Sequence, residues 1–151
     1  MIRGALMALA LAAGGWVGSA QAEPATISAP QAFDAATTRH IILLEIRSPE
    51  EWRESGVAQG ALTVTMNDVG FASTLRTILA RNPDTPVALI CATGGRSQYV
   101  ASVLERNGIS GVIDVSEGMF GNEAAPGWLA RDMPVVDAQT ALTATQVFLK
   151  Q

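Results

Sequence analysis

The sequence predicts an α/β fold, a mostly parallel β-sheet covered by helices on both faces. Short runs rich in β-branched and aliphatic residues, at 40–46 and 87–90, are continuous rather than alternating, the mark of strands buried on both sides. Segments with apolar residues at helical spacing lie between these runs, and alternation of that kind favours a parallel sheet. Turn residues such as Gly56, Asn82-Pro83-Asp84 and Asn107-Gly108 fall at the joins.

Taken in order, Thr26, Ile27 and Ser28 suit a short strand, and residues 30–36 suit a helix with Pro30 at an early position. Residues 40–46 form the first long strand. Ser48, Pro49 and Glu51 then open a short helix, with Ser as N-cap, Pro at the first position and Glu at the third, a capping box. Gly56 suits its end. Residues 61–64 read as a short strand. Phe71, Leu75, Ile78 and Leu79 recur at helical spacing until Asn82-Pro83-Asp84 breaks the run. The strand at 87–90 leads to Cys91, residues 99–106 read as a helix closed by Asn107-Gly108, and residues 111–115 form one more strand. Beyond Pro134 the chain turns Ala/Thr-rich. Residues 137–151 suit a docking helix, an added strand or a loose tail equally, and no internal repeat is present.

The first 22 residues read as a leader rather than as fold. Arg3 supplies a positive start, residues 6–17 are Leu, Ala, Met and Gly with little else, and Ala20-Gln21-Ala22 fits the small-x-small cleavage pattern. A secretory signal peptide over residues 1–22, cut before Glu23, makes the mature protein periplasmic or secreted. An uncleaved anchor is the competing reading, but the apolar run falls short of the ~20 residues a spanning helix needs. Contact with a membrane is therefore expected only through this segment, if it stays uncleaved. The leader also supplies much of the 48% hydrophobic content. One domain over residues 23–136 and a tail at 137–151 account for the rest. The net charge of -4 and the lack of a basic run argue against nucleic acid or anionic lipid as partners. With one cysteine the chain has no intramolecular disulfide, so an exported form carries a free thiol.

That cysteine, Cys91, stands where an apolar strand gives way to a glycine-rich loop of Ala92, Thr93, Gly94, Gly95, Arg96 and Ser97. In parallel α/β sheets ligands bind outside the carboxyl ends of strands, where the chain turns into helices. Gly94 and Gly95 permit positive φ and close backbone approach to a ligand. The N–H groups from Ala92 to Ser97 would then converge on the sulfur, or on an atom attached to it, as an anion nest. Together with the helix dipole they favour a thiolate or a bound anion. Cys91 is accordingly the candidate nucleophile, and Ala92, Thr93, Gly94, Gly95, Arg96 and Ser97 the candidate substrate-binding loop. The competing reading is a small buried hydrophobe.

Cys91-x-x-Gly94-x-Arg96-Ser97 resembles the active loop of rhodanese-type sulfurtransferases, and further segments follow in the family's order. Residues 44–52, from Leu44 through Arg47 and Glu51 to Trp52, are similar to its Asp-Val-Arg…Glu-Trp/Phe segment. Gly56-Val57-Ala58-Gln59-Gly60-Ala61 resembles its Gly-His-Ile-Pro-Gly-Ala turn. Glu117-Gly118-Met119, Trp128 and Met133-Pro134-Val135 resemble its closing block. The likeness covers about residues 26–136. It implies a rhodanese-like fold with a five-stranded, mostly parallel sheet, and thiosulfate sulfurtransferase-like activity through a Cys91 persulfide. The implied partners are a small sulfur donor such as thiosulfate and a thiophilic acceptor, whether cyanide, a thiol or an acceptor protein. No metal or organic cofactor is implied. A non-catalytic binding module on the same fold is the alternative.

Loop length separates this chain from related phosphatases and arsenate reductases, which place five residues between cysteine and arginine. Here Ala92, Thr93, Gly94 and Gly95 intervene, and the tighter ring suits one extra sulfur atom. The chain departs from the family in having Glu45 for the usual Asp and Val57 for the His, both at positions that are more often architectural. Ala92 and Thr93 carry no charge where thiosulfate-preferring members often have a cation, which makes thiosulfate a weak stand-in for the true donor. Arg96 either orients substrate or braces the loop against an acid such as Glu117 or Glu45. Arg47 is read as a structural partner for a carboxylate or for loop carbonyls. Ser97 caps the helix, donates to the sulfur, or both. His40 is expected to be exposed or capping, and Trp52 and Trp128 to anchor the core. Met119 and Phe120 either pack or line the acceptor entrance.

Overall fold

The computed structural model describes residues 23–151, so the leader read at residues 1–22 lies outside the described residues. The elements in chain order are β1 (Ala25–Ile27), α1 (Ala29–Thr37), β2 (Ile42–Glu45), α2 (Pro49–Ser55), β3 (Val57–Ala58), β4 (Leu62–Thr63), α3 (Phe71–Arg81), β5 (Val87–Ile90), α4 (Gly95–Arg106), β6 (Val112–Val115), β7 (Val135–Val136) and α5 (Ala138–Lys150), with a 3-10 turn at Leu129–Arg131. The main sheet has five strands in the order β1-β6-β5-β2-β4, and every pairing in it is parallel. The expected fold class is therefore the observed one. A separate antiparallel pair, β3 with β7, ties the segment after α2 to the closing block.

Strand alternation sorts the side chains into two cores. Leu43, Ala88, Ile90 and Val115 face a layer containing Ala29 and Ala32 of α1, Trp52 of α2, Trp128 and Ala141 of α5. Leu44, Val87, Leu89, Cys91 and Val112 face Leu75 and Ile78 of α3 and Val100 and Ala101 of α4. Every residue of β5 is buried, as its unbroken apolar run requires. With both faces buried, β5 is the central strand of the sheet, and it anchors the loop that follows it.

Boundaries move for local reasons. The strand expected from His40 starts at Ile42, because His40 and Ile41 turn back to donate their N–H groups to Ala35 O (2.8 and 3.4 Å). The capping box at Ser48 forms as read, with Glu51 Oε2 accepting from Ser48 N at 2.9 Å. Helix α4 begins at Gly95, ahead of the expected Tyr99, because Gly94 takes φ +94 and redirects the chain at once. The tail left open by the sequence is helix α5. Asp137 caps it through Thr140 N (3.0 Å), and buried Thr145 accepts Thr63 N–H of β4 at 2.8 Å.

Candidate functional site: the loop after the fifth strand

Strand β5 delivers Cys91 to the carboxyl edge of the sheet, and α4 starts after the short turn that follows. The sulfur sits on the floor of that turn, 1% exposed. Gly94 N donates to Sγ at 3.2 Å, and the Ser97 hydroxyl lies 3.4 Å from it. Ser97 Oγ also donates to Gly94 O at 3.0 Å, which closes the turn on itself. Gly95, Arg96 and Ser97 form the first turn of α4, whose N–H groups have no intrahelical acceptor and carry the positive end of the helix dipole. The thiol therefore has the apolar cluster of β5, α3 and α4 on one side and polar donors on the other. Thr93 and Gly95 are exposed at the rim, Ala92 and Arg96 are half-buried, and Gly94 and Ser97 are buried with the sulfur.

The loop is held against the turn that follows β6. Met119 N donates to Cys91 O at 2.9 Å, and Phe120 N donates to Ala92 O at 2.8 Å. Asn122 Nδ2 reaches Thr93 O and Ser116 O at 3.0 and 2.9 Å. The approach is close enough that a Cβ on Gly94 would stand 1.9 Å from Ser116 O, and one on Gly118 would stand 2.6 Å from Cys91 O. Both positions require glycine for space as well as for positive φ.

Arg96 is clamped by Glu51, with Nη2 to Oε1 at 2.6 Å and Nη1 to Oε2 at 2.9 Å. This two-pronged pair leaves the fork occupied, so the side chain braces the loop, and its acid is Glu51 rather than Glu117 or Glu45. Those hydrogen bonds from Arg96 hold the Glu51 carboxyl down to about 2. Because Glu51 also closes the capping box at Ser48, one carboxylate joins the start of α2 to the start of α4. Beneath them Glu45 and Arg47 form a fully buried ion pair. Glu45 also accepts from Ala58 N at 3.0 Å, while Arg47 donates to Ser55 Oγ at 2.8 Å and Gly56 O at 2.7 Å. Burial pushes the Glu45 carboxyl upward, against the pull of Arg47.

The structure thus brings Cys91, Ala92, Thr93, Gly94, Gly95, Arg96 and Ser97 together as one turn around a sulfur. His40 is exposed and pairs with Thr38 Oγ1 at 2.9 Å, away from the loop. Trp52 and Trp128 are buried in the core, as expected. Met119 packs in the core, whereas Phe120 is 52% exposed, with the Arg47 guanidinium 5.6 Å from its ring centre. Asn122 carries no signal in the sequence, and Glu51 reads there as a helix cap and a motif residue, with nothing to mark it as the partner of Arg96. Glu117, named there as a partner for Arg96, accepts instead from Ala29 N at 2.8 Å and Arg131 Nη2 at 3.4 Å. Long-range pairings of this kind have no local spacing signal.

A model of the rhodanese-like domain matches residues 28–125. Among curated proteins, the uncharacterized protein RP600 of Rickettsia prowazekii (strain Madrid E) is 25% identical over 99 residues, covering 61% of this chain and 80% of that one. Among solved structures, Rv0390 from M. tuberculosis superposes with a TM-score of 0.58 at 25% identity, over 75% of this chain and 97% of its own. The polysulfide-sulfur transferase homodimer from Wolinella succinogenes gives 0.55 at 22% identity, over 79% of this chain and 82% of that one. Thiosulfate sulfurtransferase from Pseudomonas aeruginosa gives 0.61 at 20%, over 77% of this chain and 21% of that one. The last two likenesses are of fold.

Proposed function

The chain belongs to the rhodanese-like domain family, and on that premise we propose that it is an exported sulfurtransferase carrying sulfane sulfur as a persulfide on Cys91. The observation that carries this reading is the sulfur itself, held at the start of α4 with the Gly94 amide 3.2 Å away and the Ser97 hydroxyl 3.4 Å away. A helix start favours an adjacent anion by about 1–2 kcal/mol, and amide donors add to this. In the first step the Cys91 thiolate attacks the outer sulfur of the donor. A new S–S bond forms, the donor's own S–S bond breaks, and with thiosulfate the leaving group is sulfite. The outer sulfur of the resulting persulfide then faces the rim of the loop, where the amides of Gly95, Arg96 and Ser97 stabilise its charge. In the second step a thiophilic acceptor, cyanide or a thiol or a protein thiol, attacks that outer sulfur and releases the Cys91 thiolate. The electron pairs balance within the two displacements, so the chemistry calls on no metal or organic cofactor.

Structures with this fold include proteins named as thiosulfate and polysulfide-sulfur transferases. For this chain the uncharged Ala92 and Thr93, and an Arg96 occupied by Glu51, favour a donor less dependent on a cation than thiosulfate. The test is thiocyanate formation from thiosulfate and cyanide by residues 23–151, set against Cys91→Ser. Turnover by the parent protein and none by the variant is expected, with thiosulfate saturating weakly. Equal thiocyanate from both proteins would remove the nucleophile.

The 1% exposure of Cys91 favours a second reading, the non-catalytic binding module. Alkylation separates the two: a persulfide carrier reacts quickly with iodoacetamide at neutral pH, and a thiol kept for packing stays inert.

A further inference from the structure

Three consecutive carbonyls of the loop are drawn to one side by the turn after β6. Cys91 O accepts Met119 N–H at 2.9 Å, Ala92 O accepts Phe120 N–H at 2.8 Å, and Thr93 O accepts from Asn122 Nδ2 at 3.0 Å. The first two donors are backbone, whereas the third belongs to a side chain. Asn122 is exposed, yet its amide is fully engaged. Nδ2 donates to Thr93 O and, at 2.9 Å, to Ser116 O, while Oδ1 accepts Ala124 N–H at 3.0 Å and Ala125 N–H at 3.3 Å. Exchanging the oxygen and the nitrogen would spoil all four contacts, so the network fixes which end faces Thr93. The peptide unit between Thr93 and Gly94 is planar and trans, so its C=O and N–H point opposite ways. Its carbonyl is the one held by Asn122, and its N–H is the one that reaches Cys91 Sγ at 3.2 Å.

We propose that Asn122 is a positioning residue: by holding the Thr93 carbonyl it sets which way this peptide unit faces, and so keeps the Gly94 amide on the Cys91 sulfur. The unit needs such a hold because glycine tolerates both orientations. Gly94 sits at φ +94 and ψ -22, close to the glycine position of a type II turn. Turning the unit over gives a type I turn, which takes a negative φ at that residue, and glycine adopts either sign. The reversed unit would present a carbonyl oxygen to the sulfur in place of an N–H, and would repel a thiolate or persulfide anion rather than stabilise it. Among the described residues Asn122 supplies the one hydrogen bond to Thr93 O. Neither of the loop's polar side chains can substitute for it. Ser97 Oγ donates to Gly94 O, in the next peptide unit, and the Arg96 fork is taken by Glu51. The consequence for sulfur transfer rests on the persulfide reading; the direction of the amide does not.

The experiment follows the Gly94 amide by nitrogen-15 NMR in the parent protein and in Asn122→Ala, alongside alkylation of Cys91 by iodoacetamide at neutral pH. In the parent, the Gly94 N–H is expected to exchange slowly with solvent and its signal to shift when Cys91 is alkylated, because the sulfur is its acceptor. In Asn122→Ala, exchange at Gly94 is expected to be about tenfold faster and alkylation about tenfold slower, as one hydrogen bond to a charged acceptor is lost. The sign of the alkylation change separates positioning from bracing. A loop that was only loosened would uncover a thiol now 1% exposed and speed its alkylation. Unchanged or faster alkylation, or an unchanged Gly94 amide, would overturn the proposal. Asn122→Asp keeps the acceptor for Ala124 and Ala125 N–H and loses the donor, so the turn itself stays held. Fast exchange at Gly94 is expected there too, and that variant decides should Asn122→Ala fail to fold. A parent thiol inert to iodoacetamide, or thiocyanate formation surviving Cys91→Ser, would instead defeat the persulfide reading and leave the Gly94 exchange to decide the proposal.

Discussion

Glu51 carries more of the site than its place in a capping box suggests. Its carboxyl sits at about 2, against an ordinary 4.5, chiefly because Arg96 hydrogen-bonds it. A folded-state value below the unfolded one contributes stability that is complete above pH 4.5 and is lost as pH falls toward about 2. Glu51→Gln is expected to remove that acid limb and to cost about 2 kcal/mol at neutral pH, read from urea midpoints across the pH range. Gly94 makes the second case at this scale. With φ +94 and a would-be Cβ 1.9 Å from Ser116 O, Gly94→Ala is expected to cost about 3 kcal/mol or more. Gly95→Ala, with nothing within 4 Å of its Cβ, is expected to be neutral or to stabilise by up to about 1 kcal/mol. Chemical denaturation of the pair checks both. The sequence marked these two glycines alike, and only the proximity of the Ser116 backbone distinguishes them.

Among the elements, α4 and α5 differ most from their sequence patterns. The apolar periodicity of α4 starts late, so the pattern placed its beginning at Tyr99, whereas Gly94 lets the helix begin at Gly95 and puts its first-turn amides in the loop. An Ala/Thr-rich segment such as α5 has weak periodicity, and what makes it helical here is a capping Asp137 and a surface to lie on. Thr145 Oγ1 accepts Thr63 N–H at 2.8 Å and lies 3.1 Å from the Thr63 hydroxyl, giving edge strand β4 a partner beyond the sheet. Thr145→Val leaves that buried N–H unmet and is expected to cost about 1–3 kcal/mol in denaturant unfolding, with Cys91 alkylation unchanged. The buried pair of Glu45 and Arg47 joins the end of β2 to Gly56 and Ala58, and so fixes α2, the element that supplies Glu51.

For the whole molecule, export is the proposal that the described residues do not reach. Intact-mass measurement on protein recovered from the exported fraction is expected to give a chain that begins at Glu23; a chain retaining residues 1–22 would favour an anchor. Fold class was legible without coordinates, because continuous apolar strands, helical spacing and turn residues are local signals that agree with one another. So was the loop, because Cys91, Gly94, Arg96 and Ser97 lie within one short stretch. What the amino-acid order determined is what neighbours in the chain decide: the strands, the capping box and the cysteine with its glycine-rich loop. What only the tertiary structure decided is which distant groups meet, namely Glu51 with Arg96, Glu117 with Ala29 N, and Asn122 with Thr93 O. The physical reason is that such pairings depend on where parallel strands and their crossovers bring side chains in space, and no spacing along the chain encodes that separation.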